Sequence, residues 1–416
     1  MNTVPVARGD AGTGGTASGN EMVNAVPVAR GDGGTGGTAS GGRRFQIYIH
    51  VPYCYRRCGY CDFNTYVAPA SQRNGFADLA LRELELVADE LDQRGERLGP
   101  TASVYFGGGT PSLLPAGDLG RMLRTVGRIF GLAAGAEVTT EANPDTVDAA
   151  YLALLADQGF TRISFGMQSA VPDVLRGLDR QHDPERVRQV VAAGRQTGLD
   201  GSVDLIYGTP GETLADWETS LRAALDLGVN HVSAYALTLE PHTPMARRIR
   251  RGELAPIDED QQAEKYELAD ELLGGSGLNW YEISNWARAG HESQHNLGYW
   301  TGAQWWGIGP GAHSSIGSER FWNAKAPATW AAKVKSGELP LAGRDQPNAE
   351  GLELERVMLA LRTVGGVALA SLQPQAAQRV DALVADGLVQ LADGRLSLTR
   401  RGRLLADTVT RHLTFI

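Results

Sequence analysis

The chain has 416 residues, 42% of them hydrophobic, and a formal charge of -9. That length and apolar content support one large domain with a smaller one beside it, while the acidic balance argues against a nucleic-acid footprint, which needs clustered lysine and arginine. No apolar run reaches the roughly eighteen residues that span a bilayer, and the N-terminus has neither a basic start nor an apolar h-region, so a cytoplasmic protein is expected.

Residues 4 to 19 return at 26 to 41 with a single change, Ala11 against Gly33. With twelve glycines in residues 1–42 and almost no large apolar side chain, this segment cannot offset the entropy of ordering it, and a disordered tail is expected. The repeat leaves open whether the chain starts at Met1 or at Met22.

From Phe45 short apolar runs alternate with helical patterns. Phe45 to Val51 reads as a strand. After it comes Cys54-Tyr55-Arg56-Arg57-Cys58-Gly59-Tyr60-Cys61, which holds all three cysteines of the chain. An odd trio on one loop cannot pair off into disulfides. It suits a single soft inorganic centre, an iron-sulfur cluster or zinc. Zinc sites usually bring paired C-x2-C segments from two places, and here the only fourth zinc ligand on offer is a histidine such as His50. A four-iron cube on three cysteines leaves one iron open to a substrate.

A helix follows on the face of Phe76, Leu79, Leu84, Val87 and Leu91, then a strand at Ala102 to Phe106 and a helix through Leu119, Met122, Leu123, Val126 and Phe130. Further strands are expected at Glu137 to Glu141, Arg162 to Phe165, Gly201 to Tyr207 and His231 to Ala236. Six strand-helix units predict an α/β protein with a parallel sheet, too few for an eight-stranded barrel. In such sheets ligands sit beyond the carboxyl ends of the strands. Those ends carry Gly107-Gly108-Gly109-Thr110-Pro111-Ser112, then Glu141, then Gln168 with Arg180 behind it, then Asp204. Glycines let a backbone approach a ligand, carboxylates bind ribose hydroxyls, and arginine or glutamine meets a carboxylate. Taken singly, the glycine run also reads as a tight turn and each polar residue as a helix cap or a surface pair. A branched side chain at Gly108 is expected to fill the space where the backbone meets the ligand.

The run from Tyr48 through Ile49-His50-Val51-Pro52 to Cys54-x3-Cys58-x-Tyr60-Cys61 resembles the cluster loop of the radical S-adenosylmethionine superfamily. It resembles most the branch holding oxygen-independent coproporphyrinogen III oxidase and its haem-chaperone relatives. The resemblance implies a partial, open (β/α)6 barrel over 43–280 and a [4Fe-4S] cluster on Cys54, Cys58 and Cys61. It also implies S-adenosylmethionine bound to the open iron and cleavable to a 5'-deoxyadenosyl radical. Its cofactor contacts then fall on Tyr48, Tyr60, Gly108, Gly109, Thr110, Glu141, Gln168, Arg180 and Asp204.

Seven of the eight tryptophans lie between residues 280 and 330, among His291, His295, His313 and the glycine-rich Gly307-Ile308-Gly309-Pro310-Gly311. Such a cluster usually packs a core, yet this mixture also suits a wide flat ligand with a central metal. His295-Asn296-Leu297-Gly298-Tyr299-Trp300 resembles the HNxxYW signature of the haem chaperones. It implies haem held in 281–346 with His295 as axial ligand, His291 and His313 as substitutes, and Tyr299 and Trp300 against the ring. Residues 347–416 read as helix, helix, hairpin, helix, a small winged-helix-like α+β domain with the hairpin turn at Asp393-Gly394. From residue 350 seven acids face eight arginines, which does not favour DNA.

Two functions follow from the resemblance. One is a haem chaperone that passes haem to an unidentified acceptor protein, membrane-associated acceptors being among the candidates. The other is the oxidase, which decarboxylates propionate side chains by radical hydrogen abstraction in porphyrin biosynthesis. The oxidase loop resembles C-x3-C-x2-C-x-C, whereas Phe63 stands at the fourth cysteine position here. That difference and HNxxYW favour the chaperone.

Overall fold

The computed structural model describes residues 44–414; the repeat-bearing tail lies outside them. Six parallel strands lead: β1 (Phe45–Val51), β2 (Thr101–Gly108), β3 (Leu132–Ala142), β4 (Arg162–Gln168), β5 (Asp200–Tyr207) and β6 (His231–Ala236). The helices between them include α1 (Phe76–Arg94), α2 (Ala116–Phe130), α3 (Ala149–Asp157), α4 (Pro184–Gln196) and α5 (Leu214–Asp226), and α6 (Glu259–Gly275) follows β6. The alternation expected of a parallel α/β sheet is therefore present. In α1, Phe76, Ala80, Leu84, Val87 and Leu91 recur every three or four residues and are buried against the sheet, and Gly95 ends the helix in the left-handed conformation.

The aromatic-rich stretch is built into the same sheet at both ends. After β6 the sheet gains β7 (Asn279–Glu282) and β8 (Asn285–Ala287) as an antiparallel edge. On the other side of β1 comes β9 (Gln304–Ile308), parallel to it, and then β10 (His313–Ile316), β11 (Glu319–Asn323) and β12 (Leu341–Asp345), each antiparallel to its neighbour. The order β12-β11-β10-β9-β1-β2-β3-β4-β5-β6-β8-β7 is linear, so the barrel stays open.

β1 is buried along both faces. Phe45, Ile47, Ile49 and Val51 join the main hydrophobic core, while Gln46, Tyr48 and His50 point to the other face, the interior of the curved sheet. That interior is polar: Ser103 and Tyr105 of β2, Glu141 of β3, Ser164 of β4 and Asp204 of β5 line it. The short helix α7 (Gln294–Trp300), all but its first residue buried, packs against β2 and β1. Helix α8 (Pro327–Ser336) covers α1.

The C-terminal part has its own core of Val357, Leu361, Leu383, Leu396 and Val409. Helix α9 (Ala349–Leu361) opens it and α10 (Ala406–Thr414) closes it. Between them β13 (Val367–Ala368), β14 (Val389–Ala392) and β15 (Arg395–Leu398) form a three-stranded sheet. The turn between β14 and β15 uses Asp393 and Gly394, both at positive φ, as a two-residue hairpin requires. Among the described residues no helix is long and apolar enough to cross a membrane.

Candidate functional site

The cysteine loop leaves the end of β1 and is stitched to the glycine loop after β2 by two backbone bonds. Gly109 N donates to Val51 O at 2.8 Å and Thr110 N donates to Tyr53 O at 2.7 Å. Tyr53–Cys54 then pairs in parallel with Tyr66–Val67, and Cys61 N closes a turn on Cys58 O at 3.2 Å. The three cysteines, half-buried, line one cleft with Tyr60, Gly108, Gly109, Thr110 and Arg180. Burial pushes the Cys61 thiol up to about 12 and raises Cys54, whose sulfur is also hydrogen-bonded by Thr110. Among the described residues no three His, Cys, Asp or Glu meet closely enough to hold a single ion. A four-iron cube takes each thiolate on a different iron, so it does not ask for that convergence.

His50 is not a fourth ligand for zinc. Its Nδ1 bonds the Tyr48 hydroxyl at 3.0 Å and its Nε2 the carbonyl of Asn64 at 3.0 Å, so both ring nitrogens are taken. Asn64 in turn donates to the carbonyls of Pro310 and Lys325, both at 2.9 Å, which ties the cysteine loop to the aromatic-rich stretch.

The strand-end residues form one row across the sheet. Glu141 accepts from Tyr105 Oη at 2.9 Å and from Gly108 N at 3.1 Å. It stands beside Ser164, whose hydroxyl donates to Asp204 at 3.0 Å, and Asp204 pairs in register with Gly166. Gln168 follows a bulge at positive φ (62°), which turns its side chain over Gly166, where the Arg180 guanidinium also arrives. Arg180 is half-buried, beside Tyr60, Cys58 and Cys54. Gln168 Oε1 and Arg180 Nε are buried without a hydrogen-bond partner, unmet polar atoms that a polar ligand would satisfy. These atoms and the thiols fit a metal-sulfur cluster with an amino-acid-like ligand above it. Tyr48 lies one layer below, buried, with its hydroxyl on His50. Burial raises its pKa well above the ordinary value.

Gly108 needs its freedom for a reason other than the one expected. Its φ is 107°, and a side chain there would run into the His50 imidazole rather than into ligand space. Tyr105 and Asn64 were not singled out by sequence reasoning. The signal for Tyr105 was its place in Ser103-x-Tyr105-x-Gly107, the inward face of β2.

The HNxxYW helix is sealed inside the barrel. Glu137 accepts from Gln294 N at 2.8 Å, His295 N at 2.9 Å and Ser293 Oγ at 3.2 Å, so a carboxylate caps the start of α7. His295 has no solvent exposure; its Nδ1 bonds Ser103 Oγ at 2.9 Å and its Nε2 bonds Tyr299 Oη at 3.0 Å. Its ring stacks on Tyr105 at 5.1 Å. Burial pushes this imidazole down to about 3, so it is neutral. Tyr299 and Trp300 are buried with it. In this conformation neither His295 nitrogen is free for iron. His291 is partly exposed with its Nδ1 on Asp200 at 3.0 Å. His313 lies on β10, half-buried, and burial, with Lys325 and His50 nearby, pushes its imidazole down to about 4.

Comparison with known proteins places this arrangement. The model of the Radical SAM superfamily matches residues 48–224, and that of the HemN C-terminal domain matches residues 352–405. The heme chaperone HemW of Mycobacterium tuberculosis strain H37Rv is 50% identical over 378 residues, covering 89% of this chain and 95% of that one. The heme chaperone HemW of Bacillus subtilis strain 168 is 31% identical over 372 residues, 87% of this chain and 97% of its own. Among solved structures, coproporphyrinogen III oxidase (HemN) from Escherichia coli matches with a TM-score of 0.75 at 21% identity, covering 90% of this chain and 91% of that chain, which shows a shared fold.

Proposed function

Because the chain belongs to the HemW family of heme chaperones within the radical SAM superfamily, we propose that it carries haem to an acceptor protein under the control of a [4Fe-4S] cluster and S-adenosylmethionine. The observation that carries this reading is the presence, in one barrel, of the three-cysteine cleft at the carboxyl end and the HNxxYW helix within it.

Cys54, Cys58 and Cys61 would hold the cluster. Gly108, Gly109 and Thr110 would present backbone groups to the amino end of S-adenosylmethionine, Glu141 and Asp204 would meet its hydroxyls, and Arg180 with Gln168 its carboxylate. When bound, this pair supplies a one-electron cleavage of the sulfonium. The chain's own residues hold the site in readiness for it. The Arg180 guanidinium offsets negative charge from Tyr60, Cys58 and Cys54. Tyr105 and the Gly108 amide fix both oxygens of Glu141. Phe63, at the position where the oxidase loop has its fourth cysteine, lines the cleft with an apolar ring.

Anaerobic reconstitution followed by parallel assays for haem retention and coproporphyrinogen decarboxylation tests the reading. Haem retained with no porphyrinogen consumed is the expected result. Porphyrinogen consumed with S-adenosylmethionine and no haem bound would replace the chaperone with the oxidase.

A further inference from the structure

The haem reading asks for an iron ligand, and the sequence has eight histidines to offer. Two of them, His50 and His295, have both ring nitrogens in hydrogen bonds and offer none to iron. His182, His231, His291 and His412 have one nitrogen bonded, as a ligating imidazole usually does, but His182 and His231 are buried and His412 lies in the C-terminal part. His291, the partly exposed one, is anchored to Asp200 near Arg162 in polar surroundings. Among the described residues His242 has no aromatic neighbour. His313 remains.

Resting on that haem reading, we infer that haem docks on the inner face of the sheet at β10 and β11, with His313 as its iron ligand and the Trp322 indole against the macrocycle. The HNxxYW helix then shapes this site from beneath and does not touch the iron.

Strand register places the residues. Along β10 the burial alternates, with Ser314 and Ile316 turned in and His313 and Ser315 half-buried. Ile316 joins the core on the helix-covered face with Trp306, Phe321 and Trp330, so His313 and Ser315 belong to the opposite face. There His313 pairs with Trp322, and Trp322 with Gly343. The His313 and Trp322 rings stack with centroids 5.8 Å apart at 28°. Gly343 lets the indole lie flat on the sheet, since a side chain there would collide with it. Neither ring nitrogen of His313 is hydrogen-bonded among the described residues. An imidazole that takes iron through a ring nitrogen stands upright on the macrocycle, so the indole stacked on it would meet the macrocycle by its edge and close that side of the iron. Lys325, exposed and close enough for its charge to act on this imidazole, can meet a propionate.

HNxxYW reaches His313 through one intermediary. Trp305 donates its indole N–H to the His313 carbonyl at 3.1 Å. Tyr299 packs edge-on against Trp305 at 4.9 Å and 87°, and His295 holds the Tyr299 hydroxyl. The motif thus sets the backbone that carries the ligand. Asn64 joins this region to the cysteine loop by its bond to the Lys325 carbonyl, so cluster and haem face share a framework.

The test is haem titration of the cluster-loaded full chain, read by the haem absorption bands and by paramagnetic resonance of the iron. His313→Gly is expected to weaken binding about tenfold or more, with added imidazole restoring the wild-type spectrum. His313→Cys is expected to give a thiolate-type spectrum, a change that a merely structural role would not produce. His295→Gln and Tyr299→Phe should weaken binding while keeping the wild-type ligand signature. If His313→Gly keeps wild-type affinity and spectrum, or if His295→Gln alone removes the imidazole signature, this assignment is overturned while the haem reading stands. If the wild type binds no haem, both fall.

Discussion

Gly108 shows how one residue without a side chain holds two loops together. At φ 107° it sits where L side chains are strained, and the space a side chain would need is already filled by His50. His50 in turn bridges Tyr48 and the Asn64 carbonyl. Gly108→Val should therefore do more than crowd a ligand: displacing His50 pulls on the cysteine loop through Asn64. Calorimetry on cluster-loaded protein should show S-adenosylmethionine affinity about tenfold or more weaker, accompanied by reduced iron retention. Loss of affinity with full iron content would confine the effect to the ligand cleft and contradict the His50 route. The cysteines give a sharper expectation. Each of Cys54→Ala, Cys58→Ala and Cys61→Ala should bring iron and sulfide content to background, and a colourless wild-type product with stoichiometric zinc would overturn the cluster assignment. The cysteine trio and the glycine loop were legible in the sequence because their chemistry is written in consecutive residues. Asn64 was not, since its partners Pro310 and Lys325 lie some 250 positions away. Nor was the sealing of His295, which follows from where α7 sits inside the barrel and from Ser103 on another strand.

At the scale of elements, α1 is more than a cover for the sheet. Its Glu83, completely buried, accepts from Gly309 N at 2.9 Å, Asn323 Nδ2 at 2.6 Å and Trp330 Nε1 at 2.7 Å, so one carboxylate pins the β9 loop, β11 and α8 to the helix. Burial raises it from 4.5 to about 7 despite these three donors. A folded value above the unfolded one means that the protonated form favours folding. Its contribution is complete below the unfolded value of 4.5 and is lost as pH rises through about 7. The size is on the order of 3 kcal/mol at 1.36 kcal/mol per pKa unit. Denaturation curves across that window should show a pH slope in the wild type that is absent from Glu83→Gln. The variant should also be less stable at low pH, because its amide nitrogen would face the Asn323 amide. Equal slopes in both proteins would remove Glu83 as the source. The six strand-helix units leading the barrel were readable from hydrophobic period alone. The continuation through β9 to β12 was not, because β9 pairs in parallel with β1 across some 250 residues and nothing local in either strand announces the other.

At the scale of the whole molecule, the C-terminal part is fastened to the barrel at several points: Arg320 of β11 pairs with Glu355 of α9, Leu359 of α9 packs on Leu297, Tyr299, Trp300 and Trp305, and one carboxylate gathers three donors. Asp270 on α6 accepts from Trp286 Nε1 at 3.0 Å, Arg400 Nε at 2.6 Å and Arg403 Nη1 at 2.8 Å. The Arg403 guanidinium also lies 3.7 Å over the Trp280 ring. Backbone contacts support the joint, with Val364 N on Tyr281 O at 2.8 Å and a bridge between Glu282 and Thr363. Burial works to raise the Asp270 carboxyl, but Arg403, the Trp286 indole and Arg400 outweigh it and hold the group below its ordinary value. A depressed folded value means stability that is present above the unfolded value of 3.8 and lost as pH falls through the folded one. Asp270→Asn keeps the shape, removes the charge, and turns an amide toward two arginines, of which Arg403 is largely buried. Removing one partner of a buried pair costs about 3 kcal/mol. That penalty falls on the joint, while the C-terminal core of Val357, Leu396 and Val409 stays intact. Limited proteolysis should therefore release the C-terminal part earlier in Asp270→Asn than in the wild type, with cluster content unchanged because the cysteine loop is held by other contacts. The difference in stability should stay constant near neutral pH and close on acidification below 3.8, where the wild type also loses the charge. Identical proteolysis in both proteins would mean that the Tyr281 and Thr363 backbone contacts, the Arg320–Glu355 pair and the Leu359 packing carry the joint without Asp270, and a difference that persists in acid would mean that Asp270 acts through its shape and not its charge.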